Sequence, residues 1–295
     1  MSAVGQEWSD WPTEALAEER RFREARGQVA AGAAPAMASE ERIEIQGHSA
    51  LRCIPRDCKS DVAHVFCHGG GWVFGSSLQS LGLIRRIAHQ ARRPVVSIDY
   101  PLAPEHRYPL AVQSVATVMT QLAEEGGLAG IIGGSAGAQV ALHALAQDKT
   151  APACGAVLFC GAFGSTIDTW SHDSFGSVGG RLTSDTMQRF YNAYFDPAYA
   201  PTLNLATLPP VYLSVGDCDP LLSDSLDLYR DLALHRSVGD RLEVIPGMSH
   251  GFMNDWFRTN RVERAVEDAV SWLEDRSTGS EDTYKSPSGP SERLF

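Results

Sequence analysis

The sequence predicts an α/β protein with a mainly parallel, doubly wound sheet and an antiparallel start. Three observations predict it. Short apolar runs alternate with helix-forming segments from Val62 onwards. Two β-rich runs at the start, Glu41 to Gln46 and Ala50 to Pro55, face each other across Gln46-Gly47-His48-Ser49, the pattern of a hairpin. The residues able to do chemistry collect in the segments that follow strands, where an open α/β sheet places its ligands.

Taken in order, residues 1–38 are read as helical. Trp8, Trp11, Leu16 and Phe22 are apolar marks among many charges, and Pro12-Thr13-Glu14 suits a helix start. So polar a segment cannot form a core, so it is expected to lie over an apolar surface, with Ala30 to Pro35 as a linker. After the hairpin, Val62 to Cys67 reads as a strand, Leu78 to Ala91 as a helix, and Pro94 to Asp99 as a buried strand. A helix follows from Leu110 to Glu125, then the strand Leu128 to Ile132, then an Ala- and Leu-rich helix from Ala138. Cys154 to Cys160 is the next strand. The alternation then breaks over residues 162–208, a stretch too long for a plain loop, with one helix expected at Ser184 to Phe195. It resumes with the strand Val211 to Val215, a helix at Leu221 to Leu234, the strand Leu242 to Ile245 and a helix at Val262 to Leu273. The polar stretch 277–295 carries no packing signal and is expected to be disordered.

Bulk properties narrow the function classes. The 295 residues are 43% hydrophobic and 21% charged, an ordinary globular composition. A net charge of −11 argues against nucleic acid as partner. The six cysteines show no zinc spacing and several lie in apolar runs, so buried free thiols are expected, although Cys53 and Cys58 are close enough to pair. No run approaches the ~18–20 apolar residues of a membrane span, and the acidic start lacks the pattern of a signal peptide. A cytoplasmic protein without membrane insertion is expected.

Gly133-Gly134-Ser135-Ala136-Gly137 stands between a buried strand and a helix. The letters alone also fit a plain glycine turn. In this setting a strained turn would lift the serine hydroxyl clear of the sheet, and the new helix would aim free N–H groups at the same place. A serine nucleophile needs a base, a carboxylate that orients the base, and donors for an oxyanion. His250 follows a strand within Met248-Ser249-His250-Gly251-Phe252. Asp217 and Asp219 both follow the strand at 211–215, with Asp224 nearby, and either of the first two could instead cap the helix near Leu221. His64, His89, His143 and His235 fall in strands or helices and read as structural. His68-Gly69-Gly70-Gly71 places three glycines after a strand, so that backbone N–H groups can approach a ligand. A phosphate loop is disfavoured there, because no Gly-Lys-Ser/Thr follows and Trp72-Val73-Phe74 is apolar.

Four blocks together carry a resemblance: His68-Gly69-Gly70-Gly71-Trp72, Tyr100-Pro101-Leu102-Ala103-Pro104-Glu105-His106, the Gly133 to Gly137 turn, and Asp219-Pro220-Leu221 with His250-Gly251-Phe252. The chain resembles the hormone-sensitive-lipase-type (bacterial family IV) carboxylesterases of the α/β-hydrolase superfamily. The resemblance implies an α/β-hydrolase fold, with a mainly parallel eight-stranded sheet, flanking helices and a helical cap. It implies Ser135 as nucleophile, His250 as base and Asp219, through its Asp-Pro-Leu block, as the acid. Gly70, Gly71 and Ala136 would supply the oxyanion N–H groups, and Tyr100 to His106 would be a supporting turn. The implied organisation is a cap segment at 1–40, a core of 41–161 with 209–276, and an inserted cap segment at 162–208. The chain departs from the family in having Gly134 where an acidic residue is usual, Ala138 where a second glycine is usual, and one added residue before Asp224.

The expected activity is hydrolysis of small-to-medium acyl or aryl esters through an acyl-enzyme, with no metal or cofactor. Amide, carbamate or lactone hydrolysis by the same residues, or a non-catalytic receptor on the same fold, are the alternatives. Trp72, Phe74 and Trp170 are the expected pocket aromatics. A small-molecule ester is the expected partner, and a homodimer stays open as the assembly.

Overall fold

The computed structural model describes residues 13–147, 155–164, 166–177, 182–196, 203–236 and 239–277. One eight-stranded sheet forms its centre, in the order β1-β2-β4-β3-β5-β6-β7-β8. The strands are β1 (Met37–Ile45), β2 (His48–Pro55), β3 (Ala63–Cys67), β4 (Val95–Ile98), β5 (Leu128–Gly134), β6 (Ala156–Phe159), β7 (Val211–Gly216) and β8 (Arg241–Ile245). The helices are α1 (Thr13–Ala31), α2 (Leu81–Ala91), α3 (Leu110–Glu124), α4 (Ala136–Gln147), α5 (Trp170–Phe175), α6 (Ser184–Tyr194), α7 (Leu222–His235) and α8 (Asn260–Ser277).

The β1–β2 hairpin is antiparallel, β2 pairs antiparallel with β4, and every later pairing is parallel. Burial explains the short apolar runs. Every residue of β3, β4, β5, β6 and β7 is buried, because helices cover both faces. β1 instead alternates between exposed and half-buried residues, as an edge strand with one wet face should.

Two apolar clusters sit on opposite faces of the sheet. One joins α2 and α8 through Ile84, Ile87, Val266 and Val270. The other joins α3, α4 and α7 with Trp72 and the α6 aromatics. In α8 the buried residues Val262, Ala265, Val266, Ala269, Val270 and Leu273 recur at helical spacing, while charges hold the other face. Each fully buried aliphatic side chain contributes about 1.5–3 kcal/mol, so this stripe fixes α8 firmly.

The polar α1 is held by a few specific contacts. Leu16 is buried. A Cβ on Gly27 would lie 2.3 Å from the Gln79 carbonyl oxygen, so the helix backbone runs directly against that segment. Arg20 donates to the Val73 and Ala103 carbonyls, each at 3.0 Å, and forks onto Glu105 at 2.9 and 3.0 Å. Phe22, by contrast, is exposed. Trp8 and Trp11 lie outside the described residues, as do Cys154 and the stretch beyond Ser277.

Two expectations change. Residues 1–38 are not helical throughout, because β1 begins at Met37, where the chain pairs with Pro55 of β2. Among the described residues of 162–208 there are two α-helices, α5 and α6, and a 3-10 turn at Leu205–Thr207. α5 has only six residues, too few to show a helical period in sequence. Cys53, Cys58, Cys67, Cys160 and Cys218 are all free, and Cys58 and Cys218 are not buried. Among the described residues no helix is long and apolar enough to cross a membrane.

Candidate active site

Ser135 alone separates β5 from α4, and its φ is +54°. A side chain held in the left-handed region costs of order 1–3 kcal/mol, so the surroundings must impose it. They do so through backbone bonds. The Ser135 N–H donates to the Phe159 carbonyl at 2.8 Å, and its carbonyl accepts from Ala138 N at 3.0 Å. The flanking glycines are sterically required. A Cβ on Gly133 would sit 2.5 Å from the Gly137 oxygen, and one on Gly137 2.2 Å from the Cys67 oxygen. The turn is thus pressed between its own helix and the end of β3.

His250 Nε2 lies 3.0 Å from Ser135 Oγ, and its Nδ1 lies 3.0 Å from each oxygen of Asp219. Asp219 is fully buried. An ionised carboxylate only accepts, so Nδ1 carries the proton and Nε2 is free to accept from the serine hydroxyl. Asp219 Oδ1 also accepts the Leu221 N–H at 2.9 Å, so the helix-start role and the pairing with His250 fall on one residue. Asp217 points elsewhere and accepts the Gly247 N–H at 2.7 Å. Among the described residues, two histidines read as structural have other surroundings. His64 pairs with Glu274 at 2.6 Å, and burial lowers His143 to about 4.

The glycine loop after β3 comes alongside. A Cβ on Gly69 would be 3.3 Å from Ser135 Cβ. Gly70, Gly71 and Trp72 have φ of +130°, +63° and +60°, a left-handed path that glycine follows without strain at its first two positions. Ala136 is the first residue of α4, where a helix N–H has no partner within the helix. The Tyr100 block braces this loop: the Tyr100 hydroxyl donates to the His68 carbonyl and its ring stacks on His68 at 4.2 Å. The Ala103 N–H donates to the Trp72 carbonyl at 2.9 Å. Burial lowers the His68 pKa, so the imidazole under the loop is neutral near pH 7. A Cβ on Gly71 would lie 2.3 Å from the Phe190 ring. Gly71→Ala is therefore expected to displace the loop or the Phe190 ring and to destabilise the fold by about 1–3 kcal/mol, read from urea unfolding; an unchanged midpoint would contradict it.

Ser135 and His250 open onto a cavity of about 530 Å³. Its walls include Phe22, Arg23 and Arg26 of α1, Leu83 of α2, Met187 and Phe190 of α6, and Met253 beyond His250. Two of the three expected pocket aromatics are corrected. Phe74 is buried behind the cavity, edge-on to Phe190 and under the Arg23 guanidinium. Trp170 is exposed and faces Phe175, away from the cavity. Trp72 does border the cavity, yet its ring is fully buried, stacked on Tyr194 at 4.8 Å with its N–H donating to Gln139 at 3.0 Å. Aromatic content alone could not separate wall from packing. The departure at Gly134 has a structural counterpart: a Cβ there would be 2.7 Å from Met253 Cε, so methionine fills the space beside the serine.

Cys160, Asp219 and His250 form the one group of metal-ligand type among the described residues, with atoms within 4.8 Å of one another. Asp219 and His250 are already committed to each other, and Cys160 is buried with its thiol pKa pushed up by burial and by Asp219. Asp224 is the other buried acid here. It accepts the Gly164 N–H at 2.7 Å, and burial pushes its pKa up to about 7 despite the Gly164 and Phe163 amides, with Asp219 and Asp227 adding to the rise. The folded state therefore holds this proton more tightly than the unfolded chain. Its contribution to stability is full below pH 4 and is lost as pH rises through 7, at a slope of at most roughly 1.4 kcal/mol per pH unit. Asp224→Asn is expected to remove that slope, measured as urea unfolding free energies from pH 4 to 8. Equal slopes in the two proteins would contradict it.

Comparison with known proteins agrees with the fold. The family described as alpha/beta hydrolase fold matches residues 64–254. The chain is similar to the hyperthermophilic esterase of the archaeon Pyrobaculum calidifontis, at 28% identity and a TM-score of 0.78, over 88% of this chain and 93% of that one. It is similar to a thermostable carboxylesterase cloned from a metagenomic library, at 25% identity and a TM-score of 0.77, over 88% and 97% of the two chains. An esterase of the bacterial hormone-sensitive lipase family shares the fold at 21% identity and a TM-score of 0.80, over 92% and 95%.

Proposed function

The chain belongs to the α/β-hydrolase fold family, as its hormone-sensitive-lipase-type blocks anticipate, and from that premise we propose that it is a serine carboxylesterase. The observation that carries the reading is the continuous relay of 3.0 Å contacts from Ser135 through His250 to Asp219, opening onto a cavity. The esterases it resembles at 25% and 28% identity support the same reaction class.

His250 Nε2 takes the Ser135 proton as Oγ attacks the ester carbonyl. The carbonyl π electrons move to oxygen, which is held by the N–H groups of Gly70, Gly71 and Ala136. The tetrahedral species collapses, the alcohol leaves with the proton from His250, and an acyl group remains on Ser135. Water then loses a proton to His250 and attacks the acyl carbon, and the acid departs as Ser135 recovers its proton. Asp219 holds Nδ1–H throughout and stabilises the imidazolium. α1 of the leading segment and α6 of the insertion act as the cap, since both contribute cavity walls. A cavity of about 530 Å³ with Phe22, Met187, Phe190 and Met253 among its walls suits small-to-medium acyl or aryl esters.

A nitrophenyl ester series from acetate to decanoate, with a fluorophosphonate label located by peptide mass mapping, tests the proposal. Turnover that falls at long chains, with the label on Ser135, is expected. Absence of both turnover and label would overturn it.

A further inference from the structure

The helix that follows Asp219 has no capping side chain of its own. α7 starts at Leu222, and Leu221 before it offers no side-chain acceptor. The first N–H groups of a helix have no partner within it, and leaving one buried and unmet is destabilising. Here the acceptors come from outside the helix. Asp219 Oδ1 takes the Leu221 N–H at 2.9 Å. Ser171 Oγ, 52 positions earlier on the inserted α5, takes the Ser223 N–H at 3.1 Å.

The same hydroxyl donates to the Pro220 carbonyl at 2.6 Å and lies 2.9 Å from Ser223 Oγ. Ser171 is fully buried. A hydroxyl has one hydrogen and two lone pairs. The hydrogen goes to the Pro220 carbonyl, with Ser223 Oγ as a second acceptor within reach, and a lone pair accepts the Ser223 N–H. Its partners, Pro220 and Ser223, begin one residue after Asp219. Asp219 is thus held by the Leu221 N–H, by His250, by the Cys160 thiol and by a segment pinned to α5. The titratable groups facing it are His250, Cys160, Asp224 and His172.

We infer that Ser171, from the inserted segment, is a positioning residue that holds the Asp219 carboxylate in register with His250. The inference rests on the reading of Asp219 as the acid of the relay. It gives the insertion a second task. Leu182, Met187 and Phe190 of that segment bound the cavity, while Ser171 braces the acid beneath it. Position matters at this scale, since a misplacement of about 1 Å can cost about 10²-fold in rate.

The test is a double-mutant cycle on the full chain with nitrophenyl acetate, comparing wild type, Ser171→Ala, Asp219→Asn and the double variant. Rates are taken per folded protein, with the folded fraction read from near-ultraviolet circular dichroism. Ser171→Ala is expected to lower kcat about tenfold with KM within twofold, because it moves the acid and not the cavity wall. In the Asp219→Asn background the same change is expected to cost nothing further. Ser171→Cys keeps the volume with a weak donor and should lose kcat in the same direction, which keeps the test open if the alanine variant does not fold. Unchanged kcat in both Ser171 variants, or an equal loss in the Asp219→Asn background, overturns the inference. Normal kcat in Asp219→Asn alone would instead overturn the acid assignment beneath it.

Discussion

Ser135→Ala is expected to lower kcat on a nitrophenyl ester by about 10⁵–10⁶ and leave the melting temperature within a few degrees of wild type. The size follows from the relay: without Oγ there is no acyl-enzyme, and His250 can act only on water. Residual rate would come from the oxyanion N–H groups and from binding. The small effect on stability follows from how the turn is held. Ser135 N and O, not Oγ, make the bonds to Phe159 and Ala138, and Gly133 and Gly137 set the approach of the backbones. Alanine keeps those bonds and the same left-handed backbone. Stopped assays and a thermal melt on one preparation give both quantities. Turnover within tenfold of wild type would remove Ser135 from the reaction, whereas loss of the melt would mean that the hydroxyl supports the fold.

Most of the fold is legible in the sequence because parallel strands buried on both faces leave continuous apolar runs. Val62 to Cys67 and Val211 to Val215 could be read from composition alone, and they fall within a residue or two of β3 and β7. The loops of the site are legible for a different reason. Gly70, Gly71, Gly133 and Gly137 stand where a side chain would strike backbone or a ring, so sterics write the pattern into the letters. Pocket walls leave no such mark. Phe74 and Phe190 look alike in sequence, yet one is packed behind the cavity and the other faces it. Met253 was missed because its place is set by contact with Gly134, a pairing across more than a hundred positions. The departure at Gly134 is a weak signal, since a missing side chain beside a half-buried serine calls for something to fill the space. Ser171 carries no signal at all: the sequence offers Asp217 and Asp219 as caps near Leu221, and the hydroxyl that takes the Ser223 N–H is found only by folding.

Asp219→Asn is expected to cost about 10⁴ in kcat, while Asp217→Asn stays within a few-fold of wild type. The asymmetry can be derived from hydrogen-bond roles. Oδ1 of residue 219 must accept the Leu221 N–H, which fixes the carbonyl of an introduced asparagine at that position. Its NH₂ then replaces Oδ2 and points at His250 Nδ1, 3.0 Å away. A donor there forces Nδ1 to accept, and the ring proton moves to Nε2. Nε2 then faces Ser135 Oγ as a donor and cannot take its proton. The ring stays in place, so KM should change little. At 217 the Oδ1 accepts the Gly247 N–H and the Cys218 thiol, both of which an asparagine carbonyl can still accept. The pair of variants therefore separates orientation of the base from support of its loop. A large loss at 217 with activity retained at 219 would reverse the assignment, and it would require His250 to turn its Nδ1 away from a carboxylate it now meets through both oxygens.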